Sequence, residues 1–397
     1  MTRVTITSLG QRGEGVAEID GRKVYVPFAL PGEDVEIDVS GDHGTIREAF
    51  REHAARAAPI CPYFTKCGGC QLQHLPADQY AAFKRGLVMT ALSFQGIETD
   101  VAPLVDARGI GRRRATLHAR RDGVGYMVRR SHDLYAIDHC PILVPALGKA
   151  PEIAHAIWQA AGDCDVSFTA TLTGLDIGVR TEKRAQAVRL MPLAQRQKGL
   201  ARIALNGELV LQNVAPTVHM GKAAVELPIG SFLQATEAAE TTLAALVVEG
   251  LAGRKAVADL FSGAGPFALR LAESAKVAAF DSDKPAIAAL EKAVRNTQGL
   301  KPVTAKARDL FRDPLAAVEL KDFDGAVFDP PRAGAEPQSA ELAQSKLRTI
   351  VAVSCEPKTF ARDAKILMDG GYELERVTPV DQFAYSTHVE IVGVFRR

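Results

Sequence analysis

IVAVSCEPKTFARD, residues 350–363, joins a predicted strand to a predicted helix through a single cysteine. Ile350–Val353 is an apolar, β-branched run that predicts a buried strand, and Pro357 predicts the first turn of a helix. Cys355 therefore stands at the carboxyl end of a strand, the edge where open α/β sheets bind ligands. A lone cysteine is more often a small buried hydrophobe, so a functional thiol needs support from the rest of the sequence.

A second strand pattern upstream also ends in a polar group. Ala326–Phe328 is a short apolar run that is followed by Asp329-Pro330-Pro331-Arg332. Two consecutive prolines cannot continue a strand, and they hold the chain extended just beyond its end. We therefore expect the carboxylate of Asp329 to be presented at the sheet edge.

A third strand, Ala256–Leu260, runs into a glycine turn, and the next strand ends in Asp281. Gly263 and Gly265 allow the backbone to approach a ligand at a helix N-terminus, and Asp281 can bind a ribose diol. A dinucleotide site would have G-x-G-x-x-G, whereas here the third glycine is replaced by Ala268 and an acid, Asp259, precedes the turn. This pattern is typical of the S-adenosylmethionine site of Rossmann-like methyltransferases.

These segments together resemble the RNA (uracil-5-)-methyltransferases, which methylate C5 of uracil. The matching residues follow the order of that family: Ser231-Phe232-Leu233-Gln234, Asp259 to Gly265, Asp329-Pro330-Pro331-Arg332-Ala333-Gly334, Ser354-Cys355-Glu356-Pro357, Asp381-Gln382-Phe383 and His388-Val389-Glu390. The resemblance implies an α/β Rossmann-like methyltransferase domain in the C-terminal part of the chain.

The resemblance also implies roles for three catalytic residues. Cys355 would add to C6 of uracil, Glu390 would remove the C5 proton, and Asp329 would hydrogen-bond the edge of the flipped base. Because an ordinary thiol is mostly protonated near neutral pH, we expect the site to lower the pKa of Cys355 or to pair it with a base. Without the resemblance, Glu390 would be read as a solvated carboxylate on a terminal strand.

The cofactor-binding residues implied by the resemblance are Gln234, Phe261, Gly263, Gly265, Asp281, Asp309 and Asp329. The chain departs from the family at two places. Pro266 replaces a small polar residue that touches the cofactor, and Asp281 replaces a longer glutamate.

The N-terminal residues 1–55 predict a small β-barrel with short strands. Asp20-Gly21 between two alternating runs is a strong hairpin turn, and the barrel resembles the TRAM domain, an oligonucleotide-binding (OB-like) fold. Residues 1–40 contain seven acidic residues and four basic residues. This excess of acid argues against strong RNA binding by the barrel.

Cys61, Cys67 and Cys70 stand at C-x5-C-x2-C, a spacing that predicts a metal site in a reducing compartment. Cys140, which precedes a proline, is the best fourth ligand, and Cys164 is expected in the core. Zinc and a [4Fe-4S] cluster both suit four thiolates. Family members with this arrangement hold a [4Fe-4S] cluster, so the resemblance favours iron–sulfur over zinc.

Residues 56–230 predict a central, mainly antiparallel β domain that carries the cysteine loop. A helix is predicted from Asp78 to about Gln95, and it could pack on the C-terminal domain, which we place at residues 231–397. Eight arginines with one acid, Asp122, fall within residues 108–130, and we expect this segment to contact RNA, with His118 and Tyr126 stacking on bases. The arginines are Arg108, Arg112, Arg113, Arg114, Arg120, Arg121, Arg129 and Arg130.

The whole-chain composition is that of an ordinary soluble protein, with a formal charge of +1 and 47% hydrophobic residues over 397 residues. No membrane helix or signal segment is expected, so we predict a cytoplasmic enzyme, and a monomer. The TRAM-like and cluster regions resemble the branch of the family that methylates 23S ribosomal RNA.

Alternatives from other classes stay open. Transfer RNA is the alternative substrate. An adenine amino-methyltransferase also uses a D-P-P motif, but its fourth residue is aromatic where this chain has Arg332, and it needs no thiol. A non-catalytic RNA-binding or ribosome assembly factor would form no covalent adduct with RNA that contains 5-fluorouracil. Electron transfer by the cluster is a weaker alternative.

Overall fold

A computed structural model describes residues 1–182 and 187–397. The strands are β1 (Thr2–Thr5), β2 (Ser8–Leu9), β3 (Gly15–Ile19), β4 (Arg22–Val26), β5 (Asp34–Ser40), β6 (His43–Arg51), β7 (Val105–Asp106), β8 (Arg114–Arg120), β9 (Gly123–Met127), β10 (Leu134–Ala136), β11 (Cys164–Thr171), β12 (Gly174–Arg180), β13 (Leu200–Leu205), β14 (Glu208–Gln212), β15 (Thr217–Met220), β16 (Ala223–Glu226), β17 (Ala256–Leu260), β18 (Lys276–Asp281), β19 (Val303–Ala307), β20 (Gly325–Phe328), β21 (Thr349–Ser354), β22 (Glu373–Asp381) and β23 (Glu390–Arg396). The helices are α1 (Ala77–Phe94), α2 (Ala150–Ala161), α3 (Ala187–Arg196), α4 (Glu237–Gly250), α5 (Ala268–Leu271), α6 (Lys284–Asn296), α7 (Glu336–Gln344) and α8 (Pro357–Asp369), and short 3-10 turns lie at Pro145–Leu147 and Glu319–Asp322.

The N-terminal sheet has the strand order β1-β5-β6-β4-β3-β2. The predicted hairpin is confirmed: Asp20 and Gly21 have φ of 49° and 74° and join the antiparallel strands β3 and β4. Positive φ at both central residues suits the right-handed twist of the two strands. Alternate residues such as Val4, Val26 and Ile37 point inward and form the core of this sheet.

The central sheet has the order β10-β9-β8-β11-β12-β13-β14. Its described pairings are antiparallel except for β12 with β13, which is parallel, so the expected antiparallel character holds with one exception. Helices α2 and α3 share its core with Cys164, which is buried as predicted.

The C-terminal sheet has the order β19-β18-β17-β20-β21-β23-β22-β7. Strands β17 to β21 are parallel, and β23 is inserted antiparallel between β21 and β22. Two hydrophobic clusters cover its two faces, as expected for a Rossmann-like sheet. The parallel order brings the carboxyl ends of β17, β18, β20 and β21 to one edge, where a doubly wound fold binds its ligand.

Helix α1 and strand β7 pack on the C-terminal sheet although they precede the central sheet in the chain. Val88 and Leu92 of α1 lie in the same cluster as Phe360 of α8. Val105 of β7 pairs with Val380 of β22 and extends the sheet by one strand. Among the described helices, none has the length and apolar character needed to cross a bilayer.

Candidate active site

The three predicted catalytic side chains meet in one cavity of about 580 Å³ at the carboxyl edge of the C-terminal sheet. Asp329 directly follows β20, and Pro330-Pro331 turn the chain away from the sheet. Cys355 lies between β21 and the start of α8 at Pro357. Glu390 is the first residue of β23 and pairs with Val380 of β22.

Burial raises the pKa of both carboxyl groups, Glu390 and Asp329. Desolvation raises the pKa of Glu390 to about 7, while a hydrogen bond from Gln382 and the charge of Arg332 act in the opposite direction. Desolvation and the neighbouring charges of Glu390 and Asp259 raise the pKa of Asp329 well above its usual range. Glu390 can therefore take up a proton near neutral pH, and Asp329 can donate a hydrogen bond as a neutral acid.

The pKa of Cys355 is not lowered, so the first of the two expectations is wrong, and the second, pairing of the thiol with a base, stays a prediction. Burial and the charges of Glu390 and Asp329 raise the pKa of the thiol to about 11, whereas a hydrogen bond and the charge of Arg332 oppose the rise. The reason is that the thiol becomes buried, and the two carboxyl groups come close to it, only in the folded chain. A positive ligand, or protonation of the two acids, would favour the thiolate.

Arg332 is the cation beside the thiol. Its Nη2 lies 3.1 Å from Nε2 of His388, and desolvation together with this guanidinium lowers the pKa of His388 to about 4. The imidazole is therefore neutral at physiological pH and can accept a hydrogen bond from Arg332. Its ring also contacts Phe383 edge-on, with 5.8 Å between the ring centroids.

The glycine turn and the end of β18 form the other end of the cavity. The backbone N–H of Gly263 donates to Oδ2 of Asp281 at 2.8 Å, so this carboxylate holds the turn that it faces. Phe261 has a positive φ of 62°, and its ring lies 5.4 Å from that of Phe311. An acid at a strand end, a glycine turn and two aromatic rings fit an adenosyl group.

Two of the predicted cofactor residues are not among the described residues that line this cavity. Gly265 packs behind the turn, where a Cβ atom would lie 2.4 Å from Leu290 of α6. Asp309 accepts hydrogen bonds from the backbone of Phe311 and Arg312, and Phe311 lines the cavity in its place. Gln234, Phe261, Gly263, Asp281 and Asp329 do line it.

A further acid, Asp259 of β17, lies beneath the glycine turn, and few polar contacts offset the cost of its burial. Asp259 is completely buried, and among the described residues only a weak contact from the backbone N–H of Ala268 offsets the burial of its carboxyl group. Desolvation, with a smaller effect of the charge of Asp281, raises its pKa to about 8. Asp259 is therefore protonated at neutral pH.

Sequence reasoning named Gln382 only as part of a motif and placed Arg113 among the arginines expected to contact RNA. Nε2 of Gln382 donates to Glu390 at 2.8 Å and to Gln234 at 2.6 Å. Arg113, at the start of the central sheet, donates to the carbonyl of Gln234 at 3.1 Å and forms a buried ion pair with Glu240 at 2.6 Å. The position of Gln382 beside Phe383 in the quoted motif was the available signal.

The four predicted metal ligands, Cys61, Cys67, Cys70 and Cys140, line one cavity of about 520 Å³. Their charges affect each other, and burial raises the pKa of Cys140 to about 11. Within residues 1–182 and 187–397, however, no group of three or more His, Cys, Asp or Glu side chains could hold a metal ion as positioned.

Most arginines of the predicted RNA-contacting segment are used inside the protein. Arg120 pairs with Asp165 at 2.7 Å, and Arg129 and Arg130 pair with Glu14 of the N-terminal barrel at 2.8 and 3.0 Å. His118 also contacts Asp165, and Tyr126 lines the cysteine cavity. The free positive surface is therefore smaller than the arginine count indicates.

A basic cleft of about 440 Å³ nevertheless lies beside the nucleophile. Its basic side chains are Arg12 and Lys358, together with Arg129 and Arg130, which are also paired with Glu14. Glu356, next to Cys355, lines the same cleft, as does His388. A phosphate backbone could therefore pass close to the catalytic cavity.

Comparison with known proteins accounts for the whole chain. The sequence profile of the tRNA (uracil-5-)-methyltransferases matches residues 179–397, and that of the TRAM domain of tRNA (uracil(54)-C(5))-methyltransferase matches residues 2–44. An RNA methyltransferase of Agrobacterium fabrum is 44% identical over 99% of both chains. The 23S rRNA (uracil(1939)-C(5))-methyltransferase RlmD of Pseudomonas fluorescens is 32% identical over 99% of this chain and 93% of its own.

The fold is also that of a solved structure. Pyrococcus abyssi tRNA (uracil-54, C5)-methyltransferase in complex with S-adenosyl-L-homocysteine superposes with a TM-score of 0.77 and 24% identity, over 99% of this chain and 100% of that one. The TRAM domain predicted from the sequence is thereby confirmed. The chain is an RNA (uracil-5-)-methyltransferase and belongs to the tRNA (uracil-5-)-methyltransferase family of S-adenosylmethionine-dependent enzymes.

Proposed function

We propose that this enzyme methylates C5 of a uracil in 23S ribosomal RNA through a covalent bond between Cys355 and C6 of the base. One observation carries the mechanism: Cys355, Asp329 and Glu390 line the same cavity as the glycine turn at Gly263. A nucleophile, a neutral acid and a base with a pKa near neutrality are the groups that this reaction requires.

Each step can be assigned to a side chain. Bound S-adenosylmethionine supplies an electrophilic methyl group. The thiolate of Cys355 forms the S–C6 bond, which turns the ring into an enolate that is nucleophilic at C5. After C5 has taken the methyl group, Glu390 removes the C5 proton, and the electrons of the C5–H bond form the C5–C6 double bond as the S–C6 bond breaks. The sulfur leaves as the thiolate.

Asp329 would hold the base during these steps. Because burial keeps its carboxyl group protonated, Asp329 can donate a hydrogen bond to a carbonyl oxygen of uracil. The target base must leave its stack or be unpaired to reach this depth. At the other end, Gln234, Phe261, Gly263 and Asp281 would bind the cofactor, with Gly265 and Asp309 supporting them from behind.

Ribosomal RNA is proposed over transfer RNA because RlmD is 32% identical to this chain, whereas the tRNA enzyme of Pyrococcus abyssi is 24% identical over a similar length. The basic cleft beside Cys355 would hold phosphates on one side of the target nucleotide. Transfer RNA is the second candidate, favoured by the description of the matching family. We also propose that the enzyme acts as a cytoplasmic monomer, with its domains at residues 1–55, 56–230 and 231–397.

We further propose a [4Fe-4S] cluster on Cys61, Cys67, Cys70 and Cys140. Each thiolate of such a cluster binds a different iron atom, so the four sulfurs lie further apart than the ligands of one zinc ion. The four thiols line one cavity, which supports a site that they share, and the family resemblance favours the cluster over zinc. The cluster would link the loop that carries Cys61, Cys67 and Cys70 to Cys140, which follows β10.

RNA that contains 5-fluorouridine tests the mechanism. Fluorine at C5 cannot be removed as a proton, so the enzyme should remain covalently bound in the presence of S-adenosylmethionine and migrate more slowly on a denaturing gel. Cys355→Ala should give no adduct, whereas Cys164→Ala, which removes a buried core thiol, should retain it. Turnover by Cys355→Ala would refute the mechanism.

Mapping of 5-methyluridine tests the substrate. Ribosomal and transfer RNA from cells with and without this gene should differ at a single uridine of the large-subunit RNA. Loss of the methyl group from transfer RNA alone would instead support the second candidate.

A further inference from the structure

The side-chain amide of Gln382 lies between the cofactor end of the cavity and Glu390. Its Nε2 donates to Oε1 of Glu390 at 2.8 Å and to Oε1 of Gln234 at 2.6 Å. Its Oε1 accepts from the backbone N–H of Ala235 at 2.6 Å. Gln382 is only 1% exposed, so these bonds are made away from solvent.

This network fixes the orientation of the amide. If the amide were reversed, its carbonyl oxygen would face the oxygens of Glu390 and Gln234, and its nitrogen would face the N–H of Ala235. Both N–H groups and the carbonyl oxygen of Gln382 are therefore committed to named partners. Hydrogen bonds that share one buried amide polarise one another, so a change at one partner alters the bonds to the others.

At the cofactor end, the network determines what Gln234 can offer a ligand. Because Oε1 of Gln234 is taken by Gln382, its remaining amide group is the Nε2 donor, and Gln234 lines the cavity. Arg113 holds the carbonyl of the same residue. A ligand that binds Gln234 therefore changes the hydrogen bond that Gln382 makes to it.

At the base end, the same amide stabilises one protonation state of Glu390. Donation of an N–H to a carboxylate favours the ionised form, against the effect of burial. The other charged or titratable groups that face Glu390 are Asp329 after β20, Arg332 in the following loop and Cys355 after β21. All three are unchanged by a substitution at position 382.

We propose that Gln382 is a positioning residue that couples cofactor binding at Gln234 to the ionisation of Glu390. This inference rests on the proposed function only for the role of Glu390 as the base. Binding of the cofactor and release of a proton from Glu390 promote each other through the shared amide. By thermodynamic reciprocity, the affinity for the cofactor depends on pH in the range where Glu390 titrates.

The test compares Gln382→Met with Gln338→Met in the full-length chain. Methionine keeps the length of the side chain but cannot donate to Glu390. Gln338 is a matched control because it is also fully buried and bridges the N–H and carbonyl of Leu315, outside the catalytic cavity. The first measurement is the Kd of S-adenosylhomocysteine by calorimetry between pH 6 and pH 8, without RNA.

In the wild type and in Gln338→Met, the Kd should fall about fivefold or more as the pH rises from 6 to 8, because ionisation of Glu390 favours cofactor binding. In Gln382→Met, the Kd should be higher and nearly independent of pH. A second measurement is the release of tritium from RNA labelled at C5 of uridine. Its pH midpoint should move up by about one unit in Gln382→Met, because a hydrogen bond to the charged carboxylate is lost.

Two outcomes would overturn the coupling: a wild-type pH dependence of Kd in Gln382→Met, or loss of that dependence in both variants alike. Failure of the proposed function is read separately, as the absence of an adduct between the wild type and 5-fluorouridine RNA. The calorimetric measurement needs no RNA, so it tests the coupling in either case.

Discussion

Lys84 of α1 and Asp381 of β22 form an ion pair that is almost completely inaccessible to solvent, at 0% and 1% exposure. The hydroxyl of Tyr80 also donates to Asp381 at 2.7 Å, and Nζ of Lys84 donates to the carbonyl of Phe383 at 3.0 Å. Both contacts flank Gln382. Helix α1 therefore fixes the position of the segment that carries Gln382.

Lys84→Met should destabilise the protein by about 3 kcal/mol, because it leaves the buried carboxylate of Asp381 with the more distant Arg108, at 3.9 Å, as its remaining counter-charge. The free energy of unfolding in urea measures the loss. Lys365→Met is the matched control: it removes an exposed ion pair with Asp369 on α8 and should cost at most about 0.5 kcal/mol. Equal losses in the two variants would contradict the importance of the buried pair.

Glu390→Gln should slow release of the C5 proton about 100-fold or more while leaving formation of the covalent adduct intact. The adduct should then accumulate with ordinary RNA. In the wild type, proton release should rise as pH increases through about 7, where Glu390 becomes ionised, and level off above it. Tritium release and denaturing gels measure the two steps, and unchanged tritium release in Glu390→Gln would exclude this residue as the base.

Arg332→Met should slow adduct formation at neutral pH about tenfold, equivalent to one unit of thiol pKa, because the positive charge beside Cys355 is lost. Raising the pH should restore part of the rate by ionising the thiol directly. Arg376→Met, which removes a guanidinium group from the outer part of β22, is the control. A rate for Arg332→Met that is wild-type at every pH would rule out this role.

Asp259→Asn should weaken the dependence of stability on pH. The raised pKa of Asp259 means that its contribution to stability is present below about pH 4 and is lost as pH rises through about 8. The effect of the substitution is the free energy of unfolding of Asp259→Asn minus that of the wild type. This difference should be more positive at pH 9 than at pH 4 by more than about 1 kcal/mol. Thermal unfolding of the ligand-free protein at both pH values measures this, and parallel curves would contradict it.

Cysteine-to-serine variants at positions 61, 67, 70 and 140 should each lose bound iron and the visible absorption of the cluster. Cys164→Ser should keep both, since this thiol lies in the core of the central sheet. Iron and acid-labile sulfide are measured on anaerobically purified protein. One equivalent of zinc in place of iron would favour the alternative metal.

The sequence predicted those site residues whose position follows from strand ends. Cys355, Asp329 and Asp281 could be placed together because the carboxyl ends of parallel strands meet at one edge. Glu390 was identified only through its family motif. The argument from the carboxyl ends of parallel strands does not apply to it, because it is the first residue of an antiparallel strand. The hairpin at Asp20-Gly21 was predictable because its φ values are a local property.

What the sequence could not predict depends on partners far away in the chain. The acids that neutralise the arginine segment lie far from it in the chain: Glu14, Asp165 and Glu240. The expected lowering of the Cys355 pKa was wrong because burial of the thiol, and then the nearby carboxyl groups, raise this pKa, and the fold produces both. Gln382 gained a role only when its two partners were known.

The packing of α1 and β7 on the last strands has a consequence for synthesis of the chain. Lys84 and Asp381 are 297 residues apart. At typical translation rates, α1 would leave the ribosome roughly 15 to 60 s before its partner strand is made. The face of α1 that packs on β22 lacks this partner during that interval, so completion of the catalytic unit must wait until β22 and β23 have been translated.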